Sequence, residues 1–406
     1  MSANNLVLAE FHEAVRRSQE ESVWVQKKED TMRGRIWLRP MIGLFAILLP
    51  IASNAAPKYT VMDLGTLGGP SSDAYALNSR GQVAGISDYR WDSNMSMWWW
   101  RAFLWDPRAG MIDLETLGGP TSYARGLNDR GQVVGVAEVA GTPINSQTWH
   151  AFFWDPQTGM TDLGTLGGPT SYAWVLNNRG QVAGAADMVG TTAPGQRWHA
   201  FLWDKESSLV DLGSLGGPTS DARGINNRGQ VIGTSDMPDA TWPNQHWHAY
   251  LWDEKAGMVD LGTLTGPTSF ARGINDRGLV VGSADTDHWD FNYGWWQVHG
   301  FIWEPRVGMR DLGTLGGPTS HAWAVNNRGE VVGVSDVAGT TAPGQKWHAC
   351  LWGIKGGLVD LNDLISPFEG WELTDARAIN DAGQIAGYGL HNGSRRAFIL
   401  SPSPRP

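Results

Sequence analysis

The sequence is almost free of cysteine, which excludes one common source of stability. Cys350 stands alone among 406 residues, so no disulfide can form within the chain. The lack of disulfides does not exclude export, because an oxidising compartment permits these bonds without requiring them. We therefore expect the fold to be stabilised by side-chain packing and by the way its repeated units meet.

Charged residues are also scarce, and acidic ones outnumber basic ones. Asp, Glu, Lys and Arg together make up 18% of the chain, and the formal net charge is −10. A chain with this balance lacks the broad cationic surface that binding to a nucleic-acid backbone requires. We therefore expect no nucleic-acid partner.

The apolar run near the N-terminus is too short to span a membrane. Residues 41–52 form a run of 12 residues that contains Pro50, whereas a spanning helix needs about 20 apolar residues. Three arginines precede this run, and small residues that fit a cleavage site follow it at Ser53 and Ala55. This order is typical of a secretory signal peptide.

We assign residues 32–56 to a cleaved signal peptide. The protein is then expected to be exported, extracellular or periplasmic, and to have no permanent membrane span. Residues 1–31 carry mixed charges that are unlike the start of a signal peptide. We interpret them as an extension that lies upstream of a true start at Met32.

Glycine and tryptophan, in contrast, are abundant. The chain has 52 Gly and 23 Trp, a composition that favours many short strands and turns over long helices. The pair Asp-Leu recurs at positions 63, 113, 162, 211, 260, 311 and 360, at intervals of 49 to 51 residues. This period predicts an architecture of seven repeated units.

Each unit contains four extended stretches separated by turn residues. In one unit these stretches are residues 122–128, 132–138, 151–154 and 160–163. Asn-Asp-Arg-Gly between the first two is a hairpin signal, since Gly adopts positive φ readily. The pattern predicts four antiparallel strands per unit, with small residues such as Ala124 on the innermost strand.

The two ends of the repeat region complement each other. The region opens with a fourth strand, residues 59–64, and closes with a third strand, residues 397–400. Joined, they complete a seventh unit, whereas an open solenoid would need polar caps at both ends. We predict that residues 58–400 form an all-β, seven-bladed β-propeller of four-stranded antiparallel blades, closed by pairing of the N-terminal strand with the C-terminal blade. Residues 401–406 are expected to be a disordered tail.

A short triplet returns at the start of the third strand. His-Ala-Phe at residues 150–152 is repeated at residues 199–201, together with Asn-x-Arg-Gly-Gln-Val and Asp-Leu-Gly-Thr-Leu-Gly-Gly motifs. With these motifs the chain resembles the HAF family of extracellular repeat proteins over about residues 58–400, and more loosely the kelch repeats. The resemblance implies export and a repeat fold and supplies no catalytic residues. Arg101 and Arg396 depart from the pattern by replacing the histidine, so equal function of all blades is not expected.

One position of the innermost strand is occupied by cationic and aromatic residues. Its occupants are Tyr75, Arg125, Trp174, Arg223, Arg272, Trp323 and Arg377. At the mouth of a central channel, such side chains could hold an anionic or carbohydrate ligand by charge-assisted hydrogen bonds and ring stacking. The alternative, which we favour, is packing within the blades, with each guanidinium paired to a local carboxylate such as the Asp of an Asp-Leu pair.

Two of the loops between second and third strands are rich in aromatic residues. The first contains Trp91, Trp98, Trp99 and Trp100, and the second contains Trp289, Phe291, Tyr293, Trp295 and Trp296. Exposed aromatic loops on a rigid scaffold suit recognition of a sugar or a protein. A local cluster in which these side chains pack on one another explains them equally well.

Acidic residues close the second strand of six units, and five units begin the third strand with histidine. The acids are Asp88, Glu138, Asp187, Asp236, Asp285 and Asp336. A pair of Asp and His repeated around a ring is typical of a structural hydrogen bond between two strands, whereas catalysis needs one asymmetric site. The clusters of Cys, His or Asp that metal sites need are missing from the sequence. We expect no catalytic residue, cofactor or metal, and we interpret the Asp of each Asp-Leu pair as a turn cap.

Departures from the repeat are the best guide to function in such a chain. They favour a monomeric, non-enzymatic binding or interaction module with a carbohydrate or protein partner at the cell surface. The alternative is an enzyme acting on an extracellular polymer, with its catalytic groups in the aberrant residues 365–396, where Glu369, Glu372 and Asp375 gather near Arg377. A third hypothesis is an architectural spacer without a ligand.

Overall fold

The described part of the chain is almost entirely β-structure. The structure, a computed structural model, describes residues 58–93, 96–141, 148–191, 197–238, 246–290, 295–340, 346–353 and 357–404. The predicted signal peptide, residues 32–56, and the extension before it lie outside these ranges. Within them the only helix is a 3₁₀ turn at Leu361–Leu364, and no helix is long and apolar enough to cross a membrane.

The strands of these ranges form seven antiparallel sheets of four strands each, and every sheet is one blade. In six blades the four strands follow one another along the chain. Blade 1 consists of β2 (Ser72–Leu77), β3 (Val83–Asp92), β4 (Met97–Asp106) and β5 (Gly110–Asp113), and blade 2 of β6 (Gly118–Leu127), β7 (Val133–Val139), β8 (Trp149–Asp155) and β9 (Gly159–Asp162). Blade 3 consists of β10 (Gly167–Leu176), β11 (Val182–Met188), β12 (Trp198–Asp204) and β13 (Ser207–Asp211), and blade 4 of β14 (Ser220–Ile225), β15 (Val231–Asp236), β16 (Trp247–Asp253) and β17 (Gly257–Asp260). Blade 5 consists of β18 (Ser269–Ile274), β19 (Val280–Asp290), β20 (Trp295–Glu304) and β21 (Gly308–Asp311), and blade 6 of β22 (Gly316–Val325), β23 (Val331–Val337), β24 (Trp347–Gly353) and β25 (Gly357–Asp360).

Blade 7 is built from both ends of the repeat region. Its strands are β26 (Trp371–Ile379), β27 (Ile385–His391), β28 (Ser394–Pro402) and, at the outer edge, β1 (Tyr59–Asp63). β1 pairs antiparallel with β28, so that Val61 lies opposite Leu400. The predicted seven-bladed propeller, including its closure by the N-terminal strand, is confirmed.

Strand β28 is longer than the sequence indicated. It includes Ser401 and Pro402, which pair with the first residues of β1, and the N–H of Ser403 donates to the carbonyl oxygen of Lys58 at 2.9 Å. The expectation of a disordered tail from residue 401 onwards is therefore wrong for these residues. The strand continues because β1 offers hydrogen-bond partners to its backbone.

A ring of asparagines joins the seven innermost strands. Asn128 begins the turn after β6, where its side-chain oxygen accepts the N–H groups of Arg130 and Gln132. Its side-chain nitrogen donates to the backbone carbonyl of Asn177 in the next blade, 3.2 Å away. The same bond, at 3.0 to 3.2 Å, joins Asn78 to Asn128, Asn177 to Asn226, Asn226 to Asn275, Asn275 to Asn326, Asn326 to Asn380 and Asn380 to Asn78. A closed circuit of this kind excludes the open solenoid.

Large side chains fill the space between neighbouring blades, and small ones surround the axis. The third strands bury a side chain completely at Phe103, Phe152, Phe201, Tyr250, Phe301, Cys350 and Phe398. The innermost strands bury Ala74, Ala124, Ala173, Ala222, Ala271, Ala322 and Ala376. Opposite Ala173 the second strand has Gly184, because a Cβ there would lie 1.9 Å from the carbonyl oxygen of Tyr172. The predicted placement of small residues on the innermost strand is confirmed.

Candidate functional site

Each innermost strand contains one extra residue at the same place. In β6, Ala124 lies opposite Gly135 and Gly126 lies opposite Val134, so that Arg125 is the extra residue of a β-bulge. A bulge takes a side chain out of the regular alternation of a strand and aims it in a new direction. The bulge residues of the seven blades are those singled out in the sequence, namely Tyr75, Arg125, Trp174, Arg223, Arg272, Trp323 and Arg377.

The bulge side chains contact one another from blade to blade. The guanidinium of Arg125 lies over the Tyr75 ring, 4.1 Å from its centroid, and 5.6 Å from the Trp174 ring. The guanidinium of Arg223 lies over the same Trp174 ring, 4.4 Å from its centroid. Cation–π contacts therefore run without interruption from blade 1 to blade 4.

A second series of contacts completes the other side of the ring. Trp323 lies between Arg272, at 5.6 Å, and Arg377, at 4.3 Å. Arg377 is also 6.0 Å from the Tyr75 ring, which brings the series back to blade 1. Because the innermost strands surround the axis of the ring, these seven side chains encircle that axis, and we call them the channel belt.

Each indole ring of the channel belt is stacked on another aromatic ring of this protein. Trp174 is stacked on Tyr172, with ring centroids 5.7 Å apart and planes 7° apart. Trp323 is stacked in the same way on His321, at 5.2 Å and 4°. Each indole thus has an aromatic ring against it as well as guanidinium groups. Their surfaces serve the packing of the belt, which was the favoured interpretation of the sequence.

The carboxylate partners of two belt arginines lie on the innermost strand itself. Arg223 Nε is 2.7 Å from Asp221, and Arg377 Nη2 is 2.7 Å from Asp375. The expected pairing with the Asp of an Asp-Leu pair is wrong for these arginines, because that Asp lies at the outer edge of the blade. Burial opposes the charged form of Arg377, but the Asp375 carboxylate outweighs burial and raises the pKa of the guanidinium.

The two aromatic connections are extensions of blade hairpins rather than loops. In blade 1, β3 and β4 continue their pairing past a register shift that follows Asp88. In blade 5, β19 and β20 continue past a shift that follows Asp285. The extension is favoured by tryptophan, whose large side chain packs well across a pleated surface. We call the two extensions the tryptophan hairpins.

Each tryptophan hairpin presents a pair of facing indoles. Trp91 lies opposite Trp98, with ring centroids 5.6 Å apart and an angle of 63° between the planes. Trp289 lies opposite Trp296, at 5.2 Å and 75°. Trp91 remains 48% exposed and Trp289 39% exposed. Edge-to-face packing therefore stabilises each pair and still leaves indole surface open to solvent.

The remaining aromatic candidates differ from these four. Trp100 is buried and packs against a tyrosine of blade 2, so it belongs to the core between blades. Trp99 is half-buried on β4. Phe291 and Tyr293 lie outside the described residues, and so does the side chain of Trp295 at the start of β20.

The histidines pair with a different carboxylate from the one expected. His150 Nδ1 lies 2.7 Å from Asp162 on the outermost strand. The same contact, at 2.5 to 2.9 Å, joins His199 to Asp211, His248 to Asp260, His299 to Asp311 and His348 to Asp360. The expected bond between second and third strands is therefore wrong, because the histidines join the third strand to the fourth. Asp162 also accepts the N–H of Gly164 at 2.8 Å, which confirms its role as a turn cap.

The acids that end the second strands instead bind hydroxyl groups just before the innermost strand or in its first half. Glu138 accepts the Thr121 hydroxyl at 2.9 Å, and Asp88 accepts the Ser71 hydroxyl. The remaining acids, each bonded to a threonine, are Asp187, Asp236, Asp285 and Asp336. Burial raises the pKa of Asp88 to about 6, although hydrogen bonds from Ser71 favour its charged form. These acids fasten the start of each blade to the second strand of the same blade.

The three acids of the aberrant last unit have different environments. Asp375 is buried and is bonded to Arg377 and to the Tyr388 hydroxyl at 2.9 Å. Glu372 is exposed and lies 3.9 Å from His348 Nε2, and Glu369 is exposed before β26. Among the described residues, no group of three or more His, Cys, Asp or Glu side chains is placed to hold a metal ion.

No family model matches this chain, and no curated protein sequence matches it. Among solved structures, the chain is similar to TolB from Acinetobacter baumannii, with a TM-score of 0.39 and 13% identity over 80% of each chain. It is also similar to a protein provisionally assigned as a gluconolactonase, with a TM-score of 0.38 and 12% identity over 86% of this chain and 93% of that one. Likenesses at this level carry no inference about ligand or activity.

Proposed function

We propose that this protein is an exported, non-enzymatic binding module that recognises carbohydrate through its two tryptophan hairpins. The observation that carries the proposal is the facing, partly exposed indole pair on each hairpin. Indole rings offer a flat apolar surface against which the apolar face of a sugar ring packs, and their N–H groups can donate to sugar hydroxyls.

Both hairpins stand on one face of the ring. The chain runs through blades 1 and 5 in the same direction, from the innermost strand to the outermost, so their connections between second and third strands emerge on the same side. Blades 2, 3 and 4 separate them in one direction, and blades 6 and 7 in the other. Two separated aromatic sites on a rigid scaffold suit an extended ligand such as a polysaccharide.

Two further features support this proposal. The pairing of His with Asp recurs from blade to blade in the same geometry, which is typical of a structural bond rather than of one catalytic centre. Export is proposed from the signal-like residues 32–56 and from the resemblance to HAF repeats, because both are associated with passage across a membrane.

Retention on a glycan array, followed by titration of the retained glycan, tests the proposal. Trp91→Ala and Trp289→Ala are each expected to weaken binding by about tenfold or more, since burial of a large apolar side chain contributes about 1.5 to 3 kcal/mol. Phe368→Ala is the matched control, because Phe368 is an aromatic residue outside the hairpins that is 91% exposed. Its affinity is expected to equal that of the wild type.

Two results would contradict the proposed carbohydrate site. A wild-type protein that no glycan retains would contradict recognition of carbohydrate. Equal binding by the wild type and both tryptophan variants would place the site elsewhere on the molecule.

A further inference from the structure

Blade 7 contains two neighbouring strands that come from opposite ends of the repeat region. In the other six blades neighbouring strands follow one another along the chain, whereas β28 and β1 meet only through non-covalent contacts. The outermost strand of every blade carries the same Asp-Leu motif, so backbone pairing alone does not specify which of them completes blade 7. Side chains that are particular to this junction must therefore make the choice.

An ion pair joins the last blade to the first across this junction. Arg395 Nε donates to Asp73 Oδ1 at 2.6 Å, and Arg395 Nη2 donates to Asp73 Oδ2 at 3.0 Å. The side chain of Asp73 is 8% exposed and that of Arg395 is 20% exposed. The Arg395 guanidinium lies 4.1 Å from the centroid of the Tyr388 ring, and the Tyr75 hydroxyl donates to Asp73 at 3.1 Å. The pair is thus bidentate, largely buried and supported at both partners.

The position of Arg395 is apolar in the third strands of the other blades. Its occupants there are Trp100, Trp149, Trp198, Trp247, Val298 and Trp347. Trp100 packs on Tyr123 of blade 2, which occupies the position of Asp73, with ring centroids 5.9 Å apart. Trp247 packs in the same way on Phe270 of blade 5, at 6.0 Å. The junction of blades 7 and 1 therefore has an ion pair where these two junctions have a pair of aromatic rings.

Asp73 differs from the other carboxylates at its position, because its charge is not balanced within its own strand. Asp221 in blade 4 and Asp375 in blade 7 are each paired with the arginine two residues later, at 2.7 Å. Two residues after Asp73 the chain has Tyr75 instead. The remaining blades have Tyr123, Tyr172, Phe270 and His321 at this position. Beside any innermost strand but β2, Arg395 would therefore be buried against an aromatic ring or a carboxylate that is already paired.

Charges at the outer edge favour the same junction. Residues 59–73 contain two carboxylates and no basic side chain, whereas residues 391–396 contain three basic side chains and no carboxylate. His391 lies 2.8 Å and Arg396 lies 3.8 Å from Asp63. The first segment of the repeat region and the last hairpin are therefore complementary in charge where they meet.

We propose that the ion pair of Arg395 and Asp73 is a latch that selects the blade on which the ring closes. A buried ion pair adds little net stability compared with two packed apolar side chains, but a buried charge without its partner is strongly destabilising. Such a pair discriminates between alternative junctions of similar blades more than it tightens the correct one. It disfavours rings that omit a blade and contacts with the wrong blade of a second copy. The latch does not depend on binding of carbohydrate.

Refolding of the full chain from urea, followed by size-exclusion chromatography with light scattering, tests the latch. Arg395→Trp/Asp73→Tyr replaces the ion pair with the aromatic pair found between blades 1 and 2. Its folded monomer is expected to melt at or above the Tm of the wild type, whereas its yield of monomer after refolding is expected to fall about twofold or more, with the remainder in oligomers. Equal yields of monomer from this variant and the wild type, over a range of protein concentrations, would overturn the proposal.

Asp221→Asn/Arg223→Gln is the matched control, because it removes an ion pair at the same position that lies within a single strand. It is expected to lower the Tm and to leave the yield of monomer unchanged. An equal fall in yield would show that loss of any buried ion pair causes misassembly, and would also overturn the latch.

Arg395→Lys and Arg395→Met decide the matter if the aromatic variant does not fold. The two substituted side chains are similar in size, and only lysine keeps the charge. Arg395→Lys is expected to retain most of the wild-type yield of monomer, and Arg395→Met is expected to lose it, because Asp73 is then buried without a cation. Equal yields from these two variants would contradict selection by charge.

Discussion

At the scale of single residues, the outermost strand of a blade is held by a contact between its Asp-Leu carboxylate and a basic side chain, which can be histidine or arginine. In blade 7 the motif histidine is missing, and His391 reaches Asp63 of the N-terminal strand at 2.8 Å instead. Arg396 lies 3.8 Å from the same carboxylate. In blade 1, Arg101 lies 4.0 Å from Asp113. The two arginines that break the HAF-like pattern therefore face the same carboxylate position as the histidines.

Four of these contacts lower the pKa of the carboxyl partner. Burial opposes ionisation of Asp162, Asp260 and Asp311, but bonds from the histidine and from a backbone N–H outweigh it and lower the pKa of each carboxyl. In blade 6 the pKa of Asp360 is lowered in the same way, and the hydrogen bond to Asp360 raises the pKa of His348 against the effect of burial.

The pH dependence of the blade 6 pair follows from these directions. A lowered carboxyl pKa adds stability above the unfolded value of about 4, and this stability is lost as the pH falls through the folded value. A raised histidine pKa adds stability below the unfolded value of about 6.5, and this stability is lost as the pH rises through the folded value. The bond between His348 and Asp360 therefore stabilises the fold most between about pH 4 and 6.5.

His348→Gln tests this pH window. We expect the variant to lose about 1 kcal/mol of unfolding free energy at pH 5.5, the size of a partly exposed charged hydrogen bond. The loss is expected to shrink at pH 9, because deprotonation of the histidine removes the stability that its raised pKa supplies. Urea unfolding at the two pH values measures it.

His288→Gln is the control for this experiment, because His288 is exposed and bonded to its exposed neighbour Asp287. Its unfolding free energy is expected to equal that of the wild type at both pH values. A loss in His348→Gln that grows between pH 5.5 and pH 9 would show that the histidine acts as a neutral partner.

At the scale of the strand, the innermost and second strands approach each other so closely that one position admits only glycine. A Cβ on Gly184 would lie 1.9 Å from the carbonyl oxygen of Tyr172 and 2.9 Å from the Phe201 ring. The same position holds glycine in the second strand of each other blade, at Gly85, Gly135, Gly233, Gly282, Gly333 and Gly387. The close approach lies directly beside the bulge that places the channel belt.

Gly184→Ala is therefore expected to destabilise the protein by about 1 to 3 kcal/mol, because the added methyl group must displace backbone rather than a flexible side chain. Chemical unfolding measures the change. Gly190→Asn is the control, since Gly190 has positive φ but open space around it, and asparagine tolerates that conformation. Equal stability of Gly184→Ala and the wild type would show that the strands separate easily.

Sequence periodicity predicts the strands better than their details. The turn and link residues predict four strands in each unit. The bulge on the innermost strand cannot be recognised from the repeat, because one extra residue in every unit leaves the period unchanged. The tryptophan hairpins were expected as loops, since Trp91 and Trp289 lie where the other units change in length. Their cross-strand pairing depends on facing side chains rather than on turn residues.

At the scale of the whole molecule, the ring could be predicted and many side-chain partners could not. Incomplete units at the two ends of the repeat region had one economical explanation, which is closure. The partner of His150 depends instead on whether its side chain points towards the second or the fourth strand. The repeat pattern of the sequence does not contain that information. The ring of asparagines was missed for a related reason, because Asn128 already explains a turn and its second bond is made to another blade.

Closure itself is tested most directly by a disulfide between the first and last strands. Thr60 and Ser401 lie opposite each other on β1 and β28, where paired Cα atoms are about 4.5 to 5.5 Å apart and within reach of a disulfide. The native thiol, Cys350, is buried, so we expect it not to form disulfides that would compete with the engineered one. Single-cysteine variants at each position serve as controls.

Mild oxidation of native Thr60→Cys/Ser401→Cys protein, analysed on non-reducing gels and by thermal unfolding, is the decisive measurement. The closed propeller predicts a disulfide within each monomer, formed without denaturant, and a higher Tm than that of the reduced protein, because the bond constrains the unfolded chain. Cross-linked dimers without an internal disulfide, or a bond that forms only after unfolding, would contradict closure of the ring.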